Sequence, residues 1–200
     1  MSPARYRSTD RLEVIPTALP EVVLFRPRRM ADGRGFFVEA WNRRTYAEAG
    51  LTIDFVQDNL SHSARPFTVR GLHFQSPPAQ QTKLVSIARG RVMDAVVDAR
   101  RGSPTFGRAV TVELSAENGL QILAPRGFLH GMVTLEPDTV ATYKTDAHYS
   151  GPHDGAVAWN DPDLAIDWGV DPARVVVSDK DAGAPLWRDW TSPFSVGEAA

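Results

Sequence analysis

The most constraining feature of the chain is a series of short β-type segments that follow one another closely and are separated by Gly, Pro and Asp. Several of them alternate apolar with polar or small residues, which is the two-residue period of a half-buried strand. Strands this short and this evenly spaced predict a sandwich, jelly roll or barrel rather than βαβ units. The segments span residues 84–88, 92–97, 109–114, 121–123, 131–135 and 139–143.

Three local signals refine this prediction. Arg89-Gly90-Arg91 separates the first two segments and predicts a tight hairpin. Helical character is concentrated at about residues 42–49, where Asn42 is expected to cap a helix and Gly50 to end it. In the last third of the chain, tryptophans lie among Pro, Asp and Gly, which predicts an irregular arm anchored on the barrel by aromatic side chains. These tryptophans are Trp159, Trp168, Trp187 and Trp190.

Composition narrows the possible partners. Acidic and basic residues are interspersed and the formal net charge is −2. The sequence has no basic stripe of the kind that binds nucleic acid, although an anionic small molecule remains a candidate ligand. Cysteine is absent, which excludes disulfides, thiolate zinc sites and cysteine nucleophiles. The first ten residues have no apolar core of signal-peptide type, and the longest apolar stretches fall far short of the roughly 20 residues that span a bilayer. We therefore expect a cytoplasmic protein with no membrane partner.

Two of the five histidines lie in segments that suggest chemistry. His130 ends the pattern Pro-x-Gly-x-x-His, the second half-signature of cupin jelly rolls, in which that histidine often binds a metal. The first half-signature has a His-x-His pair followed by a carboxylate, whereas here His73-x-Gln75 is followed by Ser-Pro-Pro-Ala. Because a divalent site needs three or more convergent ligands, the residues predict a cupin shape without a metal.

Without a metal, His73 and His130 are candidates for acid–base catalysis, because the unperturbed pKa of an imidazole, about 6.5, suits proton abstraction near neutral pH. The nearby cations Arg70 and Lys83 favour this interpretation over histidines that are buried and bonded to a backbone carbonyl. Tyr143 ends a β-type segment, so its phenol is a candidate to project into the same barrel interior as the two histidines. Core packing of the Tyr143 ring is the alternative that spacing leaves open.

Taken in order, these segments resemble the dTDP-4-dehydrorhamnose 3,5-epimerase family over about residues 19–186. One such motif would be weak support for the resemblance, but the full set in the same order is specific to the family. The motifs are DGRGFFVE (32–39), FVQDN (55–59), RGLHFQ (70–75), KLV (83–85), SPTFG (103–107), LSAEN (114–118), PRGFLHG (125–131), YK (143–144), WNDP (159–162) and SDKD (178–181).

The resemblance implies an all-β, cupin-like jelly-roll barrel with a few short helices and an irregular C-terminal arm. It implies a single epimerase domain over residues 1–200, with its core at about 19–186, that acts as a homodimer without a cofactor. The implied reaction is epimerisation of dTDP-4-dehydro-6-deoxy-D-glucose at C3 and C5 to dTDP-4-dehydro-L-rhamnose. Arg34, in the N-terminal strands, is a candidate to complete the site of the partner subunit.

Roles of individual residues also follow from the resemblance. His73 resembles the general base, held by Asp181, and Tyr143 the acid on the opposite face of the sugar. Lys83 and His130 resemble the groups near the C4 oxygen. Tyr149 resembles the aromatic residue that stacks on the base. Contacts to the nucleotide and diphosphate are implied for Arg34, Glu39, Gln57, Asp58, Asn59, Arg70, Asp154 and Lys180.

Some positions depart from the family pattern and leave the exact base and sugar open. His148 lies where many members have the first of two tyrosines, Asp154 replaces a more usual Glu, and residues 76–79 form a variable loop. Three alternatives remain. One is an epimerase that inverts only C3 or only C5 of another dTDP-4-keto sugar, the second a non-catalytic sugar-nucleotide-binding cupin, and the third a metal-dependent cupin oxygenase or isomerase.

Overall fold

The structure, a computed structural model, describes residues 5–197 and is built almost entirely from short strands. Two short helices interrupt them, α1 (Arg43–Glu48) and α2 (Asp179–Ala182), together with 3-10 turns at Gly151–His153, Pro172–Arg174 and Trp187–Asp189. The strands are β1 (Leu12–Pro16), β2 (Val23–Pro27), β3 (Arg29–Asp32), β4 (Gly35–Val38), β5 (Gln57–Ser63), β6 (Val69–Gln75), β7 (Lys83–Arg89), β8 (Arg91–Asp98), β9 (Ala109–Ser115), β10 (Gln121–Ala124), β11 (Phe128–Thr134), β12 (Thr139–Thr145) and β13 (Asp154–Ala156).

The strands form two antiparallel sheets and a separate hairpin. One sheet has the order β1-β2-β10-β7-β12-β5, and the other has the order β13-β6-β11-β8-β9. The remaining strands, β3 and β4, pair only with each other. Neighbours in the sheets are mostly distant along the chain, as in a jelly roll rather than a meander. The predicted all-β, cupin-like jelly roll is therefore confirmed.

The main core lies between the two sheets. Val85 and Ile87 of β7 and Ile122 of β10 contribute from the six-stranded sheet, and Val96 of β8 and Met132 of β11 from the five-stranded sheet. At about 25 cal/mol for each Å² of apolar surface removed from water, this layer is the main stabilising contribution to the sandwich. It also forms the floor of the cavity described below.

Each sheet has a second, outer layer. The six-stranded sheet is covered by the segment around α1, where Tyr46 and Leu51 are fully buried together with Phe25 of β2. The five-stranded sheet is covered by the C-terminal segment, whose Trp159 and Trp168 are buried. The predicted irregular, tryptophan-anchored arm is confirmed, since from β13 to residue 197 the structure shows short helical turns and two isolated β-bridges, at Val176 and Ser195, but no further strand.

The residues at the two ends of helix α1 explain where it begins and ends. The Asn42 side chain accepts a hydrogen bond from the Arg44 N–H, as an N-cap residue does. Gly50 follows the helix with φ +100°, and a Cβ there would lie 2.4 Å from the Arg5 carbonyl oxygen, so only glycine fits. Both predicted signals are confirmed.

The predicted hairpin at Arg89-Gly90-Arg91 is wrong. β7 and β8 are joined by Gly90, but β7 pairs with β10 and β12, whereas β8 pairs with β9 and β11. Gly90, with φ +78°, redirects the chain from one sheet to the other. The predicted strand at residues 131–135 is also displaced, since β11 starts at Phe128.

Within residues 5–197, no helix combines the length and apolarity needed to cross a bilayer.

Candidate active site

Two adjoining cavities lie between the sheets and share His73, Lys83 and Tyr143 in their walls. Their volumes, about 240 and 210 Å³, together fall within the range of roughly 300–1,000 Å³ that is usual for small-molecule sites. The inner cavity reaches the core at Val85 and Met132, and is also lined by Ser61, Arg70 and His130. The outer cavity is also lined by Gln57, Asn59, Phe74, Gln75, Gln81, Tyr149, Asp154 and Lys180.

Strand register brings the central side chains together. His73 on β6 lies directly opposite His130 on β11, so both side chains leave the five-stranded sheet on the same face. Tyr143 on β12 lies opposite Val85 on β7. Lys83 is two residues before Val85 on the same strand, so the side chains of Tyr143, Val85 and Lys83 share one face of the six-stranded sheet. The two imidazoles therefore approach the cavity from one sheet, and the phenol and ammonium approach it from the other.

His73 is held from behind by a buried carboxylate. Its Nε2 lies 2.6 Å from Oδ1 of Asp181, whose side chain is only 4% exposed. The Ser178 side chain caps α2 by accepting from the Asp181 N–H, which fixes the start of that helix. Burial tends to raise the pKa of Asp181, but the hydrogen bond with His73 and a contact from the Gly71 N–H outweigh it, so the pKa lies below its ordinary value. Asp181 is therefore a carboxylate at neutral pH.

His130 has a similar partner. Its Nε2 lies 2.8 Å from Oδ2 of Asp94, which is completely buried in β8. Burial raises the pKa of Asp94, and His130 and Lys83 oppose that rise. The other oxygen, Oδ1, has no hydrogen-bond partner among the described residues. Asp94 was not predicted from the sequence, although a single carboxylate inside the apolar run 92–97 was a detectable signal of a buried polar contact.

The groups on the opposite wall have shifted proton affinities. Burial lowers the pKa of Lys83 to about 8, and the carboxylates of Asp154 and Asp94 limit the fall. Burial raises the pKa of Tyr143, while the Arg70 guanidinium opposes the rise. At neutral pH the cavity therefore contains a neutral phenol and a mostly protonated ammonium group. Such shifts are characteristic of groups that move protons or stabilise charge.

The predicted binding residues divide into two sets. Arg70 reaches the inner cavity, with its guanidinium held by the Ser63 hydroxyl and the His62 carbonyl. Lys180 forms an ion pair with Asp154, and hydrogen bonding to that carboxylate raises the pKa of Lys180. The members of this set that line the outer cavity are Gln57, Asn59, Tyr149, Asp154 and Lys180.

The other three predicted binding residues lie away from the cavities of the same chain. Arg34 is at the tip of the β3–β4 hairpin, 92% exposed and paired with Asp32. Glu39 accepts hydrogen bonds from Asn42 and Thr45 beside the start of α1. Asp58 faces the opposite side of β5 from its neighbours and lines an apolar groove on the outer surface of the six-stranded sheet. One chain alone does not bring these three residues to the cavities.

Three further polar residues of the cavities were not identified from the sequence. The Ser61 hydroxyl in the inner cavity is buried and has no partner among the described residues. Gln75 and Gln81 line the outer cavity; Gln75 bonds to Asp154 of the same wall, and Gln81 bonds to the Ala147 carbonyl. The two-residue period of β5 and β6 could have indicated Ser61 and Gln75, whereas no local pattern indicates Gln81. In residues 5–197, no three His, Asp or Glu side chains are grouped closely enough to hold a metal ion.

Comparison with known proteins gives a consistent result. A family profile described as dTDP-4-dehydrorhamnose 3,5-epimerase matches residues 16–189. The chain is 48% identical over 172 residues to a protein of that name from Sinorhizobium fredii, covering 84% of this chain and 86% of the relative.

Solved structures of relatives also share the fold. The crystal structure of a dTDP-4-dehydrorhamnose 3,5-epimerase from Elizabethkingia anophelis aligns with a TM-score of 0.84 at 42% identity, covering 90% of this chain and 99% of that one. A dTDP-6-deoxy-D-glucose-3,5-epimerase from Legionella pneumophila, solved in complex with dTDP-4-keto-L-rhamnose, aligns with a TM-score of 0.83 at 42% identity. That alignment covers 88% of this chain and 92% of the other.

Proposed function

The chain belongs to the dTDP-4-dehydrorhamnose 3,5-epimerase family, and from that premise we propose that it epimerises dTDP-4-dehydro-6-deoxy-D-glucose at C3 and C5 to dTDP-4-dehydro-L-rhamnose. The observation that carries the proposal is the arrangement around the shared cavity wall. His73, held from behind by Asp181 at 2.6 Å, enters from one sheet, and the phenol of Tyr143 enters from the other. A base and an acid on opposite walls are what inversion at carbon requires.

His73 acts as the base through Nδ1. Its Nε2 faces the Asp181 carboxylate, which only accepts hydrogen bonds, so in the neutral imidazole the proton stays on Nε2. The Nδ1 lone pair is then free to take a proton from the carbon beside the C4 ketone. The carboxylate also stabilises the imidazolium that forms, as in other His–carboxylate pairs.

The electron pair left by that proton moves to the C4 oxygen, which becomes an enolate. Lys83 is the cation available to stabilise it, because at a pKa of about 8 it is mostly protonated at neutral pH. His130, held by Asp94, lies in the same inner cavity, and we propose that it acts near the same oxygen. A fixed cation at a developing oxyanion contributes about 3–4 kcal/mol in comparable sites.

Tyr143 then completes the inversion. Its raised pKa keeps the phenol protonated, so it donates its proton to the carbon from the face opposite His73 as the enolate collapses to the ketone. Water reprotonates the phenolate, and His73 releases its proton to solvent, so the catalyst is restored. The existing ketone supplies the acidity, so we propose no cofactor.

The outer cavity is the proposed site of the nucleotide. Tyr149 is 58% exposed at its edge and offers a stacking surface for the base. Arg70, fixed at the boundary of the inner cavity, matches a diphosphate because guanidinium binds phosphate through two parallel hydrogen bonds. The remaining proposed contacts come from Gln57, Asn59, Asp154 and Lys180.

We also propose a homodimer in which the β3–β4 hairpin of one copy completes the site of the other. Phe36 and Phe37 on this hairpin are 56% and 65% exposed, large apolar areas for a surface hairpin. The outer groove next to it is lined by further apolar residues, including Trp41, Leu60 and Leu120. Such a dimer would account for Arg34, Glu39 and Asp58 lying away from the cavities of their own chain.

Mixing two inactive variants tests this dimer. If Arg34 acts across the interface, Arg34→Ala and His73→Ala chains form mixed dimers in which one of the two sites is intact. After subunit exchange an equimolar mixture is expected to recover about a quarter of wild-type activity, because half of the dimers are mixed. No recovery, despite exchange shown by differential tagging, would place Arg34 outside the partner's site.

The proposed domain and location follow from the same function. Both sheets pack on one shared core, so we propose one epimerase domain over residues 1–200 with its core at about 19–186; residues 1–4 and 198–200 lie outside the described part. We propose a cytoplasmic location, because a charged nucleotide diphosphate sugar does not cross a bilayer unaided.

The reaction is tested directly by solvent exchange. Chelator-treated protein is incubated with dTDP-4-dehydro-6-deoxy-D-glucose in D₂O, and deuterium incorporation is followed by NMR, with His73→Ala as the control. Exchange at both C3 and C5 is expected. Exchange at one carbon would make the protein a monofunctional epimerase, and no exchange would overturn the substrate assignment.

A further inference from the structure

The segment that carries Tyr149 is held in place by glutamine side chains. Residues 146–153, called here the Tyr149 segment, run from β12 in one sheet to β13 in the other. Three glutamines bond to its backbone. The Gln81 Nε2 donates to the Ala147 carbonyl at 2.9 Å. The Tyr149 N–H donates to Gln57 Oε1 at 3.0 Å, and the Ser150 N–H donates to Gln75 Oε1 at 2.8 Å.

These bonds hold the segment from both sides. Gln57 belongs to β5 of the six-stranded sheet, and Gln75 is the last residue of β6 in the five-stranded sheet. Gln81 lies in the connection that leads into β7. The backbone N–H groups on either side of the Tyr149 side chain are thus both satisfied by side chains, and not by a strand partner. The position of Tyr149 therefore depends on where these amides lie.

Gln75 has a second contact that links the segment to the rest of the cavity. Its Nε2 donates to Oδ1 of Asp154 at 3.1 Å, and the other oxygen of that carboxylate pairs with Lys180. Lys180 is the residue before Asp181, the partner of His73. Gln75 is only 4% exposed, and both ends of its amide are used. An amide can accept from Ser150 and donate to Asp154 at once, whereas a carboxylate only accepts.

We propose that Gln75 and Gln81 are positioning residues for nucleotide recognition, which hold Tyr149 and Asp154 where a thymidine nucleotide binds. This inference rests on the proposed function, in which the outer cavity takes the nucleotide. Neither glutamine is placed at the reacting carbons. Their loss therefore acts on nucleotide affinity and leaves proton transfer by His73 largely intact.

Gln75→Glu is the sharpest test, because it keeps the size of the side chain and the acceptor for Ser150. It replaces the donor to Asp154 by an oxygen, so two carboxylates face each other. At pH 8 the Kd for dTDP, measured by calorimetry, is expected to rise about tenfold, while kcat for the keto sugar at saturation stays within about twofold of wild type. As the pH falls towards 5.5, one shared proton restores the donor, and the Kd ratio of variant to wild type is expected to return towards one.

Other groups near position 75 also titrate, so the ratio to wild type at each pH is the readout. His73, Lys83, Tyr149, Asp154 and Lys180 line the same cavity, and His153 lies in the Tyr149 segment with its Nδ1 bonded to the Ser150 hydroxyl. All of these groups are common to both proteins, so their titration divides out of the ratio unless the new carboxylate changes it.

Two further variants keep the test decisive. Gln81→Ala removes a single bond from a less buried residue and is expected to raise the Kd for dTDP about threefold to fivefold, without pH dependence. Asn118→Asp is the matched control. Asn118 also braces a turn through its amide, donating to the Glu113 carbonyl, but it lines neither cavity. It is expected to leave the Kd unchanged.

Wild-type protein that neither binds dTDP nor exchanges deuterium would overturn the proposed function itself. If the wild type does both, three results would overturn only the role of the glutamines. These are a wild-type Kd in both glutamine variants, a loss of kcat equal to the loss of affinity, or a Kd ratio for Gln75→Glu that does not depend on pH.

Discussion

The contact between His73 and Asp181 makes a strong prediction for the substitution Asp181→Asn. Asp181 Oδ2 faces the buried Gly71 N–H, and Oδ1 faces His73 Nε2. In the variant, the amide oxygen is expected to turn to the Gly71 N–H, because the amide nitrogen there would oppose one donor with another. The amide nitrogen then donates to His73 Nε2. The imidazole proton is forced onto Nδ1, the nitrogen that must accept the substrate proton.

The expected loss has two parts. A hydrogen bond that favours the wrong tautomer costs about 1–1.5 kcal/mol. The imidazolium also loses a carboxylate partner, worth about 4 kcal/mol for charge centres about 4 Å apart at an effective dielectric constant of 20. His73 is 29% exposed, so solvent screens part of the second contribution. We therefore expect kcat to fall by about 10³, since each tenfold corresponds to roughly 1.4 kcal/mol.

Deuterium incorporation at C3 and C5 under saturating substrate measures this loss. Asp181 lines neither cavity, so KM is expected to change less than about threefold. Asp98→Asn is the control, because Asp98 is equally buried but also lines neither cavity; its kcat is expected to remain near wild type. A fall in kcat of less than tenfold for Asp181→Asn would refute the assignment of His73 Nδ1 as the base.

Three further outcomes are expected. Activity that depends on the Lys83 cation should decline as pH rises through about 8, and Lys83→Met should lower kcat by about 10²–10³ and abolish that limb of the kcat profile. Tyr143→Phe should reduce product formation more than it slows deuterium exchange at the C–H bonds that His73 reaches, because the phenol acts only in the return of the proton. NMR measures exchange and inversion separately. Hydrogen bonds from Arg100, Ser103 and Thr105 outweigh burial and hold the pKa of Asp98 at about 2, so its stabilising effect is full above pH 4 and is lost as the pH falls towards 2. Denaturation with urea should show Asp98→Asn about 2–3 kcal/mol less stable than wild type at pH 7, with the difference shrinking below pH 4.

Local patterns predicted the elements well because their causes are local. The alternation in residues 109–114 and 139–143 reflects strands with one buried face, and β9 and β12 lie there. Asn42 caps α1 through a contact only two residues away, with the Arg44 N–H. The positive φ of Gly50 is a local signal as well, although the contact that excludes a larger side chain there comes from the distant Arg5. Apart from that contact, these features need no knowledge of the rest of the fold.

Strand pairing, in contrast, depends on distant parts of the chain. The turn at Gly90 fits a hairpin as well as a change of sheet, and the apolar runs on either side do not distinguish the two. The pairing is decided by β10 and β12 for β7, and by β9 and β11 for β8. The contact between His130 and Asp94 has the same origin, because it depends on the register of β11 against β8.

The motif at residues 57–59 shows most clearly what spacing leaves undetermined. It lies within β5, where successive side chains point to opposite faces. Gln57 and Asn59 therefore line the outer cavity, while Asp58 between them pairs with Lys144 beside the outer groove. Three consecutive strand residues cannot all reach one cavity of their own chain. Any contact of Asp58 with nucleotide must come through its backbone or across a subunit interface, and the apolar outer groove is where the proposed dimer provides that interface.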